Sequence, residues 1–99
     1  MYRATYHEDW FDDFNSLEES FKIRVTKKID KIMQYPEKRH LHKTNYFVDE
    51  VGQFRILYRI FHEQLEIRFY HVFDHKNYEK WYQQNTIWVL FDLHHASNG

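Results

Sequence analysis

The chain contains no cysteine, one proline and two glycines in 99 residues. The missing cysteine excludes a disulfide framework, a thiolate zinc site and a thiol nucleophile, so any chemistry must come from His, Arg, Lys, Tyr or carboxylates. Long apolar runs are missing too. Nothing approaches the roughly 20 consecutive apolar residues that span a bilayer, and Met1-Tyr2-Arg3-Ala4-Thr5-Tyr6 lacks the apolar core of a secretion signal. The expected compartment is therefore the cytoplasm, with no membrane partner. A basic excess is also absent: 14 Lys and Arg face 15 Asp and Glu, for a net charge of -1. That balance argues against a generic nucleic-acid binder, which usually carries a clear positive surplus. No repeat, low-complexity segment or linker divides the chain.

Aromatic residues are plentiful. They make up 20% of the chain and hydrophobic residues 42%, enough to set it apart from disordered sequences and to supply one core. Residues 1–99 are expected to form a single soluble domain. Its charges are segregated: residues 1–20 hold one Arg against six acids, whereas residues 21–43 hold eight Lys and Arg against two acids. One side of the fold could then meet a polyanion while the other repels it, unless the two segments are simply solvated faces of opposite sign.

The hydrophobic period changes midway. Tyr2 to His7 alternates as a short strand does, and the acidic stretch after it starts a helix. Ser16 with Glu19 has the form of a capping box, and Leu17, Phe21, Val25, Ile29, Ile32 and Met33 recur at helical spacing until Pro36 ends the run. Beyond, the period falls to two. Residues 45–50, 54–61 and 65–73 read as three antiparallel strands, with turns at Gly52 and at His62-Glu63-Gln64. Asp74 is placed to cap a short helix carrying Tyr78, Trp81 and Tyr82. The fold class is α+β: an N-terminal strand and two helices packed on an antiparallel meander, with a short C-terminal helix and an extension over residues 84–99 whose Trp88 to Phe91 segment offers a surface for self-association.

Three stretches carry a resemblance. Lys27-Lys28-Ile29-Asp30-Lys31-Ile32, Gly52-Gln53-Phe54-Arg55-Ile56-Leu57-Tyr58 and His75-Lys76-Asn77-Tyr78-Glu79-Lys80 resemble, in order and spacing, the basic helix, catalytic strand and closing motif of the RelE/ParE/HigB toxin superfamily, over residues 2–83. The resemblance implies a RelE-like fold and the toxin of a type II toxin–antitoxin pair. It implies a ribosome-dependent mRNA endonuclease, which cuts by attack of the ribose 2′-hydroxyl on the adjacent phosphate, with no metal and no cofactor. Implied partners are a cognate antitoxin, the ribosome and mRNA. Arg55 matches the catalytic strand arginine, whose fork suits two phosphate oxygens. His75 and Tyr78 match the closing motif, and three-residue spacing sets them on one helical face. Histidine gives or takes a proton near neutral pH, and tyrosine stacks on a base or positions the phosphate. Lys76 and Lys80, and more weakly Lys43, His40 and His42, are candidate RNA contacts.

The chain departs from the RelE pattern at one place. Where RelE-type members carry strand lysines it has Tyr46-Phe47-Val48-Asp49-Glu50, so the base must be a histidine or a carboxylate, as in HigB-like members. Two other readings stay open: a ParE-like toxin that binds DNA gyrase, and a non-catalytic interaction module on the same fold. Each alternative for the site residues is structural: Arg55 bordering the sheet or paired with Asp49 or Glu50, His75 closing a helix end, Tyr78 packed in the core. The histidine pairs His40-x-His42, His71-x3-His75 and His94-His95 are too sparse to specify zinc, which wants three or four converging ligands; no metal is expected.

Overall fold

A computed structural model describes residues 1–36 and 45–84. Its elements run β1 (Arg3–Tyr6), α1 (Glu8–Asn15), α2 (Glu19–Gln34), β2 (Phe47–Val51), β3 (Phe54–Phe61), β4 (Glu66–Asp74) and α3 (residues 75–84). The strands form one sheet in the order β1-β4-β3-β2. The meander is antiparallel, as its two short turns require, and β1 lies parallel to β4, so the sheet as a whole is mixed. The α+β expectation holds. Among the described residues no helix is long and apolar enough to cross a membrane.

Each face of the sheet carries its own apolar layer. On one, Ile56, Tyr58, Ile67, Phe69 and Val72 meet Trp10 from α1 and Val25, Ile29 and Ile32 from α2, the heptad-like positions that the helical period marks. On the other, Val48 and Leu57 are covered by Tyr78, Trp81 and Tyr82 of α3. Strand β4 serves both layers by changing phase. Leu57 pairs with His71 but Tyr58 pairs with Phe69, which leaves Tyr70 as an extra residue. This bulge lets Phe69 and Val72, three apart, face the same layer.

Two caps differ from the sequence reading or extend it. Ser16 does not open α2: its hydroxyl donates to the carbonyl of Asp13 at 2.7 Å and ends α1, while Glu18 is the N-cap of α2 and makes no side-chain cap bond. Leu17 is buried between the helices, so the chain spends the Ser16–Glu18 stretch on seating that side chain rather than on a capping box. Asp74 caps α3 as expected, accepting from the Asn77 amide at 2.8 Å. Helix α1 takes over the edge of β4 that β1 leaves open. Asp13 accepts from the Val72 amide at 3.2 Å and meets His71 Nδ1 at 2.8 Å, which removes a free strand edge.

At the other end of that edge, Glu66 is buried. Its Oε2 accepts from the Thr5 hydroxyl at 2.5 Å and from Arg68 Nε at 2.8 Å, and Arg3 stands 3.7 Å from Oε1. The Thr5 hydrogen bond first, then that of Arg68, holds the carboxyl below its ordinary range despite burial. A depressed carboxylate contributes stability above its unfolded pKa of about 4.3 and loses it as pH falls through the lower folded value. Glu66→Gln should thus be less stable than wild type at neutral pH, and the difference between their urea midpoints should shrink as pH drops below about 4. A gap that stays constant with pH would contradict this assignment.

The β3–β4 turn carries a local strain. Leu65 has φ of 51° and its side chain is exposed, a left-handed conformation that Asn and Gly adopt more easily than Leu. Leu65→Asn is expected to raise stability by up to about 1 kcal/mol, a shift of several degrees in a thermal melt of a domain this size. A lowered melting temperature would show that the Leu65 side chain contributes more than its backbone costs.

Candidate active site

The site is assembled by one turn and one cap. Gly52 occupies the first central position of the two-residue β2–β3 turn with φ of +56°, where a side chain would be strained. Counting outward from that turn pairs Val51 with Phe54 and Glu50 with Arg55. Glu50 and Arg55 therefore share a sheet face. Arg55 lies opposite Phe73 on β4, and the next residue, Asp74, turns the chain into α3. His75, first in that helix, is thereby set beside Arg55.

The distances follow from this frame. Arg55 Nη1 donates to Glu50 Oε1 at 2.9 Å, and Arg55 Nη2 lies 3.2 Å from His75 Nδ1. A guanidinium can only donate, so Nδ1 is the acceptor and the neutral ring carries its proton on Nε2. That nitrogen faces Glu79 Oε1 at 3.5 Å, one helical turn on. The Tyr78 ring lies under the guanidinium, 5.3 Å from ring centre to Cζ. Arg55 is largely buried at 18% side-chain exposure, whereas Glu50 and His75, at 42% and 62%, open to solvent. The cation is held in place by the sheet, and a carboxylate and an imidazole flank it, both open to solvent.

All three residues expected to be catalytic, Arg55, His75 and Tyr78, thus come together. Each structural alternative is partly realised as well: Arg55 pairs with Glu50, His75 stands at the helix terminus, and Tyr78 also packs on Phe73 with 6.0 Å between ring centres. Lys76 and Lys80 are exposed on α3. Lys43, His40 and His42 lie outside the described residues, as does the Trp88 to Phe91 segment. His71 and His75 do not converge, since one is held by Asp13 and the other by Arg55. Among the described residues no three His, Asp or Glu side chains are grouped to hold a metal ion.

The residue that sequence reasoning passed over is Glu50. The sequence offers it only within the lysine-free stretch and, beside Asp49, as a pairing partner of Arg55, not as a reacting group. The two-residue turn at Gly52-Gln53 would have revealed it, because that turn length fixes Glu50 opposite Arg55.

No protein-family model and no curated protein matches the chain. Solved structures do. The chain is similar to the isolated RelE toxin of E. coli, with a TM-score of 0.70 at 13% identity over 85% of this chain and 98% of that one. It is similar to a chain of the RelBE2 toxin–antitoxin complex of Mycobacterium tuberculosis, at 0.66 and 19% over 74% and 96%. It is also similar to a chain of the archaeal RelE–RelB complex of Pyrococcus horikoshii, at 0.60 and 16% over 74% and 93%. At these identities the likeness establishes the fold: the chain has the RelE fold across most of its length.

Proposed function

We propose that the chain is the toxin of a type II toxin–antitoxin pair and acts as a ribosome-dependent mRNA endonuclease, with Glu50, Arg55 and His75 as its reacting groups. The observation that carries this reading is the guanidinium held between a carboxylate at 2.9 Å and an imidazole at 3.2 Å where β2, β3 and the start of α3 meet. Cleavage by internal transfer needs a base, a cation on the phosphate and an acid, and these three side chains supply one of each. Glu50 removes the 2′-hydroxyl proton as the O2′–P bond forms. Arg55 faces the non-bridging oxygens as charge builds on them. When substrate phosphate draws Arg55 away from Nδ1, His75 takes up a proton there. The imidazolium gives a proton to the 5′-oxygen as the P–O5′ bond breaks, leaving a 2′,3′-cyclic phosphate and a free 5′-hydroxyl. Tyr78 backs the guanidinium and offers a ring edge to the neighbouring base. Neither metal nor cofactor enters these steps.

Glu50 also explains how the site does without strand lysines: a carboxylate takes over the base role, and the ion pair with Arg55 keeps it aimed. The partner is a cognate antitoxin, in line with the RelE–RelB complexes among the similar structures. Lys76 and Lys80 contact the RNA backbone from α3, with Lys43, His40 and His42 as further contacts. The test is induction in a bacterial host. Translation should stop within minutes, with rescue by coexpressed antitoxin. Filamentous cells with DNA damage and continuing translation would instead identify a gyrase poison, and a folded but harmless chain an interaction module.

A further inference from the structure

A second cationic feature lies outside these three residues. Arg24, Lys27, Lys28 and Lys31 of α2 line a groove of about 280 Å³ whose opposite wall is Glu50, Val51 and Gly52. Their spacing of three, four and seven puts them in one stripe, about 10 Å long at 1.5 Å per residue. Like charges so placed repel one another, and among the described residues Lys28 alone of the four is offset, by Asp49 at 3.9 Å. Among the described residues Arg24, Lys27 and Lys31 have no carboxylate within ion-pair distance. Arg24 is moreover held in position without an acid. Its guanidinium rides on the Phe21 ring at 5.2 Å and lies flat over Gly52, where an added Cβ would come within 3.1 Å of Nη2. The missing side chain at Gly52 thus serves the turn and admits Arg24.

We propose that this groove is a phosphate-backbone site that holds the single-stranded RNA running into the Arg55 site. The inference rests on the nuclease reading for the identity of the strand and adds where that strand lies. Glu50 joins the two regions, since it lines the groove and pairs with Arg55. The two regions lie on opposite faces of the sheet and meet at its β2 edge. A strand whose scissile phosphate meets Arg55 therefore reaches the α2 stripe by rounding that edge at Glu50, and the α2 cations then face its next phosphates. The ligand chemistry is a polyanion read through its backbone, without base selectivity.

The test uses the full chain and fluorescein-labelled hexauridylate carrying 2′-O-methyl on every ribose, which cannot be cut. Anisotropy titrations from 50 to 200 mM KCl give the slope of log affinity against log salt. Single-stranded contacts contribute about 0.7 per phosphate, so Lys27→Ala/Lys31→Ala should flatten the slope by about 1.4 and weaken binding about tenfold or more at the low-salt end. Both side chains are exposed, and an unchanged melting temperature controls for folding. A double variant with the wild-type slope overturns the proposal. So does a groove that ignores the oligonucleotide but binds a polyglutamate peptide in a Lys27- and Lys31-dependent way, which would assign it to an acidic protein partner. Because the probe is uncleavable, a chain that binds with this slope yet leaves natural mRNA intact keeps the groove and loses the nuclease reading. One that cuts mRNA with no slope change in the double variant loses the groove alone.

Discussion

Arg55→Lys should lower the rate of mRNA cutting by about 10²- to 10³-fold, although the charge is kept. The reason is geometric. Arg55 reaches Glu50 with one terminal nitrogen and His75 with the other, 2.9 and 3.2 Å away, while its plane rests on Tyr78. A lysine has one compact ammonium and no plane; it can satisfy Glu50 but cannot also face His75 or take two phosphate oxygens at once. Substrate binding should weaken far less than turnover, because the fork matters most when charge gathers on phosphorus. Single-turnover cleavage on programmed ribosomes separates the two quantities. A rate within threefold of wild type would mean that Arg55 serves only the sheet.

The largest effect on stability is expected at Phe69. This ring is fully buried and touches Tyr6, Trp10 and Tyr58 with ring centres 5.5 to 5.7 Å apart, so it ties β1, α1 and β3 to the centre of the sheet. Phe69→Ala removes those contacts and leaves a cavity among rings that cannot collapse inward, a loss of about 3–5 kcal/mol. Domains of this size have only about 5–15 kcal/mol to lose. The variant should melt some tens of degrees lower and be partly unfolded at 37 °C. Phe11→Ala is the control, since that side chain is 54% exposed and its removal should cost under about 1 kcal/mol. Urea midpoints measured in parallel decide: comparable losses for the two variants would contradict the placement of Phe69 at the hub.

Much of this arrangement can be read from the residues, and the parts that cannot have identifiable causes. The spacing of Val25, Ile29 and Ile32 marks the buried stripe of α2, the pair Gly52-Gln53 marks the hairpin, and Asp74 marks the start of α3, because each rests on a local rule. Ser16 obeys two local rules at once, opening one helix or closing another, and burial of Leu17 decides between them. The bulge at Tyr70 is a tertiary event: strict alternation along β4 cannot seat both Phe69 and Val72 in one layer, and the extra residue resolves that conflict. The parallel pairing of β1 with β4 joins residues some 60 positions apart and leaves no local trace. At the site, Arg55, His75 and Tyr78 were legible through their motifs. Glu50 was legible only as one of two pairing partners for Arg55, and register rather than residue type selects it over Asp49. The expectations on Lys43, His40, His42 and the C-terminal extension concern positions outside the described residues.

The central claim is that Arg55 and His75 act together on an RNA phosphate. Its most direct test is to induce wild type and the Arg55→Ala/His75→Ala variant in parallel and map new 5′ ends on cellular mRNA by primer extension. New ends within translated codons, bearing 5′-hydroxyls and vanishing in the double variant, are the predicted result. Equal cutting by both proteins, or toxicity without any new mRNA ends, would contradict it.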